Sequence, residues 1–526
     1  MQYKHIAMLI FLLLAYNIYT DNYMDEIAYI EGEQGNDWFG VEVESLDFNG
    51  DGKDDLAVSA PGYNVDETTE GKFYLYFGKE ENFADSADII MCAETDEESY
   101  SLRTFSRMEC VGDVNGDGCD DLGYIHNVDY PDDVSSIYTL KILFGGTVTD
   151  TIPDLLYEFS SENYVSNYRV SELGDINGDD FDDIGFCIDL HGYNPKITEY
   201  FICWGGSYTL EHFAFFETNN YSATIEGIGD INNDSFDDFS IFSKASGIIH
   251  SYIYFGATEI DTIPDLDMNE YLGNPEWPNS GLLSCGDWSG DNIDDFMTLT
   301  PWDNGIAIWN GGNTFFNPSI DCFIEFWDYS IKNDYGDLNG DGKLDLCLGY
   351  QGASNAYIYL GHQNGTNDLV LSESSLFNFG WDIAIGNFNC DEYDDVAVGT
   401  YVNMTHWPGR VWVYGGNGEL TEADPDVNAD ISNIPASEVK FEAYPNPFNP
   451  IVTFSYKLPD VNVDSVKINI YNIKGQKVAS LYNIYKVNNT KNKITWNAIN
   501  QASGAYFCQL VINNEVVQTI KIVLLK

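Results

Sequence analysis

Basic residues are scarce in this chain. Against 85 aspartates and glutamates stand 23 lysines and arginines and 7 histidines, a net charge of −62 over 526 residues. Phosphate contacts depend on Lys and Arg, so the deficit excludes nucleic acid as a partner. The ten cysteines contain no CxxC pair, which excludes the common zinc and redox motifs. They hold no constant place, so most are expected to be buried and unpaired, with a few disulfides left open. HExxH, GxSxG and P-loop motifs are absent, and His5, His126, His191, His212, His250, His362 and His406 show no metal spacing. Long amphipathic helical patterns are missing too. An apolar run from Ile6 to Ala15, preceded by Lys4, is too short to cross a bilayer. It reads as a signal peptide, assigned to residues 1–20, with cleavage between about Ala15 and Asn22. No later stretch approaches transmembrane length, so no spanning segment is expected after its removal.

What the chain does have is a core and a repeat. Hydrophobic residues make up 44% and aromatic residues 15%, enough to fill an interior despite the charge. The stretch DFNGDGKDDL sets Asp47, Asn49, Asp51 and Asp55 at loop positions one, three, five and nine. Glycines between them let the backbone turn sharply. Carboxylates brought together this way repel: at about 4 Å and an effective dielectric of about 20, each pair costs roughly 4 kcal/mol. A hard divalent cation removes that cost, and calcium takes oxygen ligands in a flexible shell. The backbone carbonyl of Lys53, at position seven, completes the expected ligand set.

The pattern returns six more times, at intervals of 66, 62, 55, 57, 50 and 50 residues. The second loop offers Asp113, Asn115, Asp117, Cys119 (carbonyl) and Asp121, and the third Asp175, Asn177, Asp179, Phe181 (carbonyl) and Asp183. The fourth offers Asp230, Asn232, Asp234, Phe236 (carbonyl) and Asp238, and the fifth Asp287, Asp291, Ile293 (carbonyl) and Asp295, with Ser289 at position three. The sixth has Asp337, Asn339, Asp341, Lys343 (carbonyl) and Asp345, and the seventh Asn387, Asn389, Asp391, Tyr393 (carbonyl) and Asp395. A single acidic loop could be a solvated turn; seven in register mark a repeat architecture. Loops of the EF-hand kind carry a carboxylate at position twelve and lead into a helix. Here position twelve is Val58, Tyr124, Phe186, Ile241, Thr298, Leu348 or Val398, so each loop is expected to join strands.

About 20 residues beyond each loop comes a run such as FYLYFG at Phe73 or RVWVYGG at Arg410, which reads as a strand stopped by a tight turn. Further strands are expected at Ile152–Phe159 and Ile263–Met268. Units of 50 to 66 residues with about four strands suit the blades of a seven-bladed β-propeller over residues 25–416. No outer strand is evident after Gly416, so Ile27–Glu33 is expected to complete the last blade.

These repeats resemble FG-GAP repeats, the blade units of the integrin-alpha-type propeller. Trp38-Phe39-Gly40, Asn378-Phe379-Gly380 and LAVSAP at Leu56–Pro61 carry the resemblance. It implies calcium held by the four side-chain positions and a mainly adhesive or ligand-binding role. Loops five and seven depart from the pattern, through Ser289, Asn387 and Glu392, and are expected to bind least well. Loops one, two and six keep Gly52, Gly118 and Gly342 at position six and are expected to bind best.

Charge divides the chain. Residues 436–526 hold ten lysines and five acids, a net of +5, and the remainder carries −67. Residues 417–436 read as a linker. In 437–526, strand patterns separated by turn signals suggest a small immunoglobulin-like β-sandwich, so the whole chain is expected to be all-β. This segment resembles the type A sorting domain of the type IX secretion system, through YPNPFNP at Tyr444, YNIKGQKV ending at Val478, SGAYFCQLV from Ser503 and KIVLLK from Lys521. The resemblance implies that type IX machinery is a partner and that the protein is secreted or held on the outer surface of a Gram-negative cell.

Two function classes follow. One is a calcium-stabilised binding or adhesion protein for an extracellular glycan or protein, without catalysis. The alternative is an extracellular hydrolase or lyase acting on polysaccharide within the propeller channel. A catalytic site should break the repeat symmetry near the axis, where Arg103, Arg107, Arg169 and Arg410 are the unusual cations. Trp277, Trp302 and Trp407 suit either sugar stacking or packing.

Overall fold

Strands that carry apolar residues on both faces need cover on both faces, and here neighbouring sheets supply it. In the computed structural model, which describes residues 23–420 and 440–526 apart from stretches within loops, the first assembly is a ring of seven antiparallel blades, six of four strands and one, blade two, of five, because Tyr100–Ser101 and Met108–Cys110 both pair with Leu122–Asp129. In blade one the strands are Val43–Leu46, Asp55–Ala60, Lys72–Tyr76 and Ile89–Cys92, running from axis to rim. The second and third are buried at every residue. The innermost strands of neighbouring blades touch one another around the axis.

Seven apolar clusters fill the seams, each shared by two blades. The cluster between blades one and two, for example, joins Leu46, Phe48, Phe73 and Leu75 to Met108, Leu122 and Tyr124. The others follow around the ring to the seam where Ile30, Val411 and Val413 of blade seven meet Val43 and Leu56 of blade one. Each fully buried Phe, Ile or Leu adds about 1.5–3 kcal/mol, so the ring is held by what lies between blades.

The last blade consists of Phe379–Gly386, Asp395–Thr400, Arg410–Gly415 and, outermost, Asp25–Glu31 from the other end of the chain. Glu31 pairs with Arg410 in the backbone register, and Arg410 Nη2 lies 3.2 Å from Glu31 Oε1. The closing strand therefore lies where the missing outer strand placed it, ending two residues earlier. Two sequence expectations shift further. The strands anticipated from Ile152 and Ile263 begin at Leu155 and Leu266, after Pro153 and Pro264, which donate no ladder hydrogen bond. In both, an aspartate caps the turn instead: Asp154 accepts from Phe144 N and Asp265 from Phe255 N.

The carboxy-terminal unit is a seven-stranded sandwich. One sheet holds Lys440–Tyr444, Ile451–Lys457 and Lys491–Asn497; the other holds Lys477–Tyr482, Val466–Tyr471, Gly504–Ile512 and Glu515–Leu524. Phe454, Tyr456, Ile468, Ile470, Cys508 and Leu510 form its core. All ten cysteines are free, and seven are buried. Among the described residues no helix is long and apolar enough to cross a membrane. The signal-peptide segment, most of the linker, Arg103, Trp277, Trp302 and Trp407 lie outside the described residues.

Candidate metal centres

Each acidic loop joins the first and second strands of its blade. Position four has a positive φ in all seven loops, at Gly50, Gly116, Gly178, Asn233, Gly290, Gly340 and Cys390. Position six does so in six: Gly52, Gly118, Asp180, Ser235, Asn292 and Gly342. The exception is Glu392 of loop seven.

These two reversals wrap the backbone around the first carboxylate. In loops one to six, the Oδ1 of position one accepts from the amide of position five at 2.9–3.1 Å. Its Oδ2 accepts from the amide of position six at 2.7–2.9 Å. Loop seven lacks this arrangement, because Asn387 turns its amide to donate to the carbonyl of Asp391 at 2.8 Å.

Position nine is the deepest ligand candidate. Asp55, Asp121, Asp183, Asp238, Asp295, Asp345 and Asp395 are all fully buried. Each Oδ1 accepts from the amide of the glycine that ends the third strand: Gly78, Gly145, Gly205, Gly256, Gly311, Gly361 or Gly416. This explains why the apolar-Gly signature and the acidic loop recur together. Burial is the largest influence on these carboxyls and raises Asp55, Asp183, Asp295, Asp345 and Asp395 to about 7. Asp121 and Asp238 rise to about 8. The strand-end amide opposes the rise, while in loops one to six the carboxylates at positions one and five add to it. Positions one, five and nine are therefore close enough to repel in those six loops. Among the described residues, no Lys or Arg forms a salt bridge with a position-nine carboxylate.

The donor set fits a hard cation. Position three supplies an amide in every loop but the fifth. In loop six Asn339 Oδ1 accepts from Asp341 N at 3.0 Å; in loops one, two, three, four and seven the Nδ2 of position three donates to the position-nine carboxylate at 3.0–3.4 Å. A half-turn of that amide offers oxygen in place of nitrogen. In the two divergent loops, Ser289 Oγ and Asn387 Oδ1 are buried without a hydrogen-bond partner. An orphaned buried oxygen needs an explanation, and an electropositive neighbour supplies one.

Positions seven and eight face the neighbouring blade. Phe181, Phe236 and Tyr393, at position seven, lie over Gly116, Gly178 and Gly340 at position four of the preceding loop, where an added Cβ would come within 2.5–2.8 Å of the ring. Cys119 lies likewise over Gly50. Thus position seven, anticipated only for its carbonyl, also packs between blades. The position-eight aspartates were missed as a class; six of them accept the position-one amide of the loop before.

A second acidic region lines the axis. Glu44, Glu109, Glu172, Lys332, Asp334 and Asp382, from the innermost strands of five blades, border a cavity of about 230 Å³. Lys332 Nζ lies 3.1 Å from Asp382 and 3.2 Å from Glu42. Arg107 pairs with Glu42 and Arg169 with Glu226, both at 3.5 Å. Burial raises the carboxyls of Glu109 and Glu172 to about 8 and those of Asp334 and Asp382 to about 7. Burial pulls Lys332 down, but the carboxylates around it prevail and hold it well above the usual lysine range. The structure thus brings two of the four flagged arginines, Arg107 and Arg169, into contact with acids of the inner strands. Arg410 begins the third strand of blade seven, where it pairs with Glu31 of the outermost, closing strand.

Fold and loops together define a propeller of FG-GAP repeats. Comparison with known proteins agrees: an FG-GAP repeat matches residues 39–76 and an FG-GAP-like repeat residues 337–398. A secretion system C-terminal sorting domain matches residues 442–525. The chain thus carries FG-GAP repeats in its propeller and a type IX sorting domain at its carboxy-terminal end, which indicates secretion or placement on the outer surface of a Gram-negative cell. It is 26% identical to integrin alpha-5 of Xenopus laevis over 165 residues, which is 27% of this chain and 16% of that protein. Integrin alpha-V of Gallus gallus is 27% identical over 164 residues, again 27% and 16% of the two chains. Phosphatidylinositol-glycan-specific phospholipase D of Bos taurus is 38% identical over 96 residues, 18% of this chain and 11% of that one. The chain thus spans a sixth or less of the length of these relatives.

Proposed function

We propose that this protein is a calcium-stabilised binding or adhesion protein, exported through its sorting domain to engage an extracellular glycan or protein. The observation that carries the calcium reading is the buried position-nine carboxylate, repeated seven times in one geometry and without a basic partner among the described residues. A cation held there by positions one, three, five, seven and nine would neutralise charge that folding concentrates. The chain's own residues would do the rest: the loop amides fix position one, and the strand-end glycine amide fixes position nine. Likeness to two integrin alpha chains supports the adhesive reading.

Calorimetric titration of the folded protein tests the calcium reading. Several sites with dissociation constants of about 10⁻⁴–10⁻³ M are expected, the range of extracellular calcium modules. No calcium uptake would overturn it. A glycan and protein array probed with and without calcium tests the adhesive part.

One observation favours the second reading, a hydrolase or lyase acting on polysaccharide in the channel. Glu109 and Glu172 have carboxyls raised to about 8, where a proton can be given or taken near neutrality. Turnover of a polysaccharide abolished in Glu109→Gln and Glu172→Gln, with melting unchanged, would establish it. Absence of turnover across a polysaccharide panel would leave the binding reading alone.

A further inference from the structure

We infer that the position-eight aspartate is a positioning residue that couples each cation loop to the next blade, and that this contact is missing at one seam, between blades five and six. This rests on the calcium reading given above. The contact repeats with little variation. Asp120 of blade two accepts from Asp47 N of blade one at 2.7 Å, and Asp182 of blade three accepts from Asp113 N of blade two at 2.7 Å. Asp237, Asp294 and Asp394 do the same for Asp175, Asp230 and Asp337 at 2.7–2.9 Å. Asp54 of blade one completes the circle by accepting from Asn387 N of blade seven at 2.7 Å. The amide so held belongs to the first cation-ligand candidate of the preceding loop. In four of the six seams the bond is returned through the backbone: the amides of Asp120, Asp182, Asp237 and Asp394 donate to the carbonyls of Asp47, Asp113, Asp175 and Asp337.

In five seams a glycine before position one leaves space for the arriving aspartate, whereas blade one has Leu46 at that place and the bond to Asp120 still forms. The residue before position one is glycine in six blades, and a Cβ on Gly112, Gly174, Gly229, Gly336 or Gly386 would meet the arriving aspartate within 2.2–2.9 Å. At Gly286, the glycine of blade five, the nearest atom is instead Leu344 Cδ1, at 2.4 Å. Leu344 is position eight of loop six. It fills the place of the carboxylate but accepts nothing, so Asp287 N of blade five loses the side-chain acceptor that its six counterparts have. Loop five is also the loop with serine at position three. Its first ligand therefore lacks this constraint from across the seam, where blade six instead reaches Ser284: Asn333 Nδ2 donates to its carbonyl at 3.1 Å and the Tyr335 hydroxyl lies 3.2 Å from its Oγ.

The test separates Asp120 acting on loop one from Asp120 acting on its own loop two. Asp120→Leu copies the natural exception and is placed in two backgrounds, Asp51→Ala to disable loop one and Asp117→Ala to disable loop two. The readouts are calcium titration and the calcium-induced rise in melting temperature, with a chelator melt as baseline. Coupling predicts that D120L weakens calcium binding about tenfold at one site in the D117A background and leaves the response of the D51A background unchanged. The opposite pattern, or no effect in either, overturns the inference while leaving the cation reading intact. Should D120L not fold, Leu344→Asp decides: it is expected to enlarge the calcium-induced rise, and an unchanged rise overturns the coupling. A wild-type protein with no calcium response overturns the cation reading and this coupling with it.

Discussion

Calcium should raise the melting temperature of the propeller at neutral pH, and its absence should make that temperature fall as pH rises. With dissociation constants of about 10⁻⁴–10⁻³ M, about 10 mM free calcium contributes roughly 1.4–2.7 kcal/mol per loop. Seven independent loops would give about 10–19 kcal/mol. Unfolding entropy for roughly 390 residues is about 0.8 kcal/mol/K, so the rise is about 12–23 °C. The calcium-free protein behaves differently. Its position-nine carboxyls, raised from 3.8 to about 7 or 8, keep protons in the folded state that the unfolded chain releases. A raised carboxyl pKa favours the fold fully below the unfolded value, and that contribution is lost as pH climbs through the folded value. Each such proton is worth about 1.4 kcal/mol per pH unit within the window, or about 2 °C. Differential scanning calorimetry from pH 5 to 8, in chelator and in calcium, reads both effects. Saturating calcium should flatten the pH dependence. A chelator curve that is flat or rising over that range, or a midpoint at pH 7.5 unmoved by calcium, would refute the reasoning.

Other outcomes follow from single features. Lys332→Met strips Asp382 of its cation, leaves Glu42 with Arg107 alone, and should cost about 3–5 kcal/mol by urea denaturation, easing as pH falls and Asp382 takes a proton. Ile30→Asp places an unpaired carboxylate in the seam of Val411 and Val413, destabilising by about 3 kcal/mol or more and exposing the amino-terminal strand to protease. Deleting residues 436–526 should leave the propeller in the periplasm, read by cell fractionation; secretion of the truncated chain at the normal level would contradict the role of the sorting domain.

The parts legible in the sequence were those that repeat within a blade. Asp55 and its six equivalents announced themselves by recurrence, and the strand after each loop by its apolar position twelve. The closing strand was found from a deficit, one strand too few after Gly416. Contacts between blades left little trace. Asp54-Asp55 reads as a doubled acid, yet Asp55 turns inward to Gly78 while Asp54 reaches blade seven, 333 residues away in sequence. Only the glycine before position one and the lone Leu344 hinted at that division of labour. The axial acids were hidden for a related reason, since Glu42 and Lys332 stand 290 residues apart and meet only when the ring has formed.

The closing strand also sets a timetable for biosynthesis. Asp25–Glu31 is among the first segments of the ring to be made, yet its partner lies 379 residues downstream. Until Arg410–Gly415 has been translated, six blades can stack while an open sheet edge waits at each end of the arc. Such edges invite pairing with other chains. A nascent or truncated chain ending before residue 410 should therefore depend on chaperones far more than the finished one.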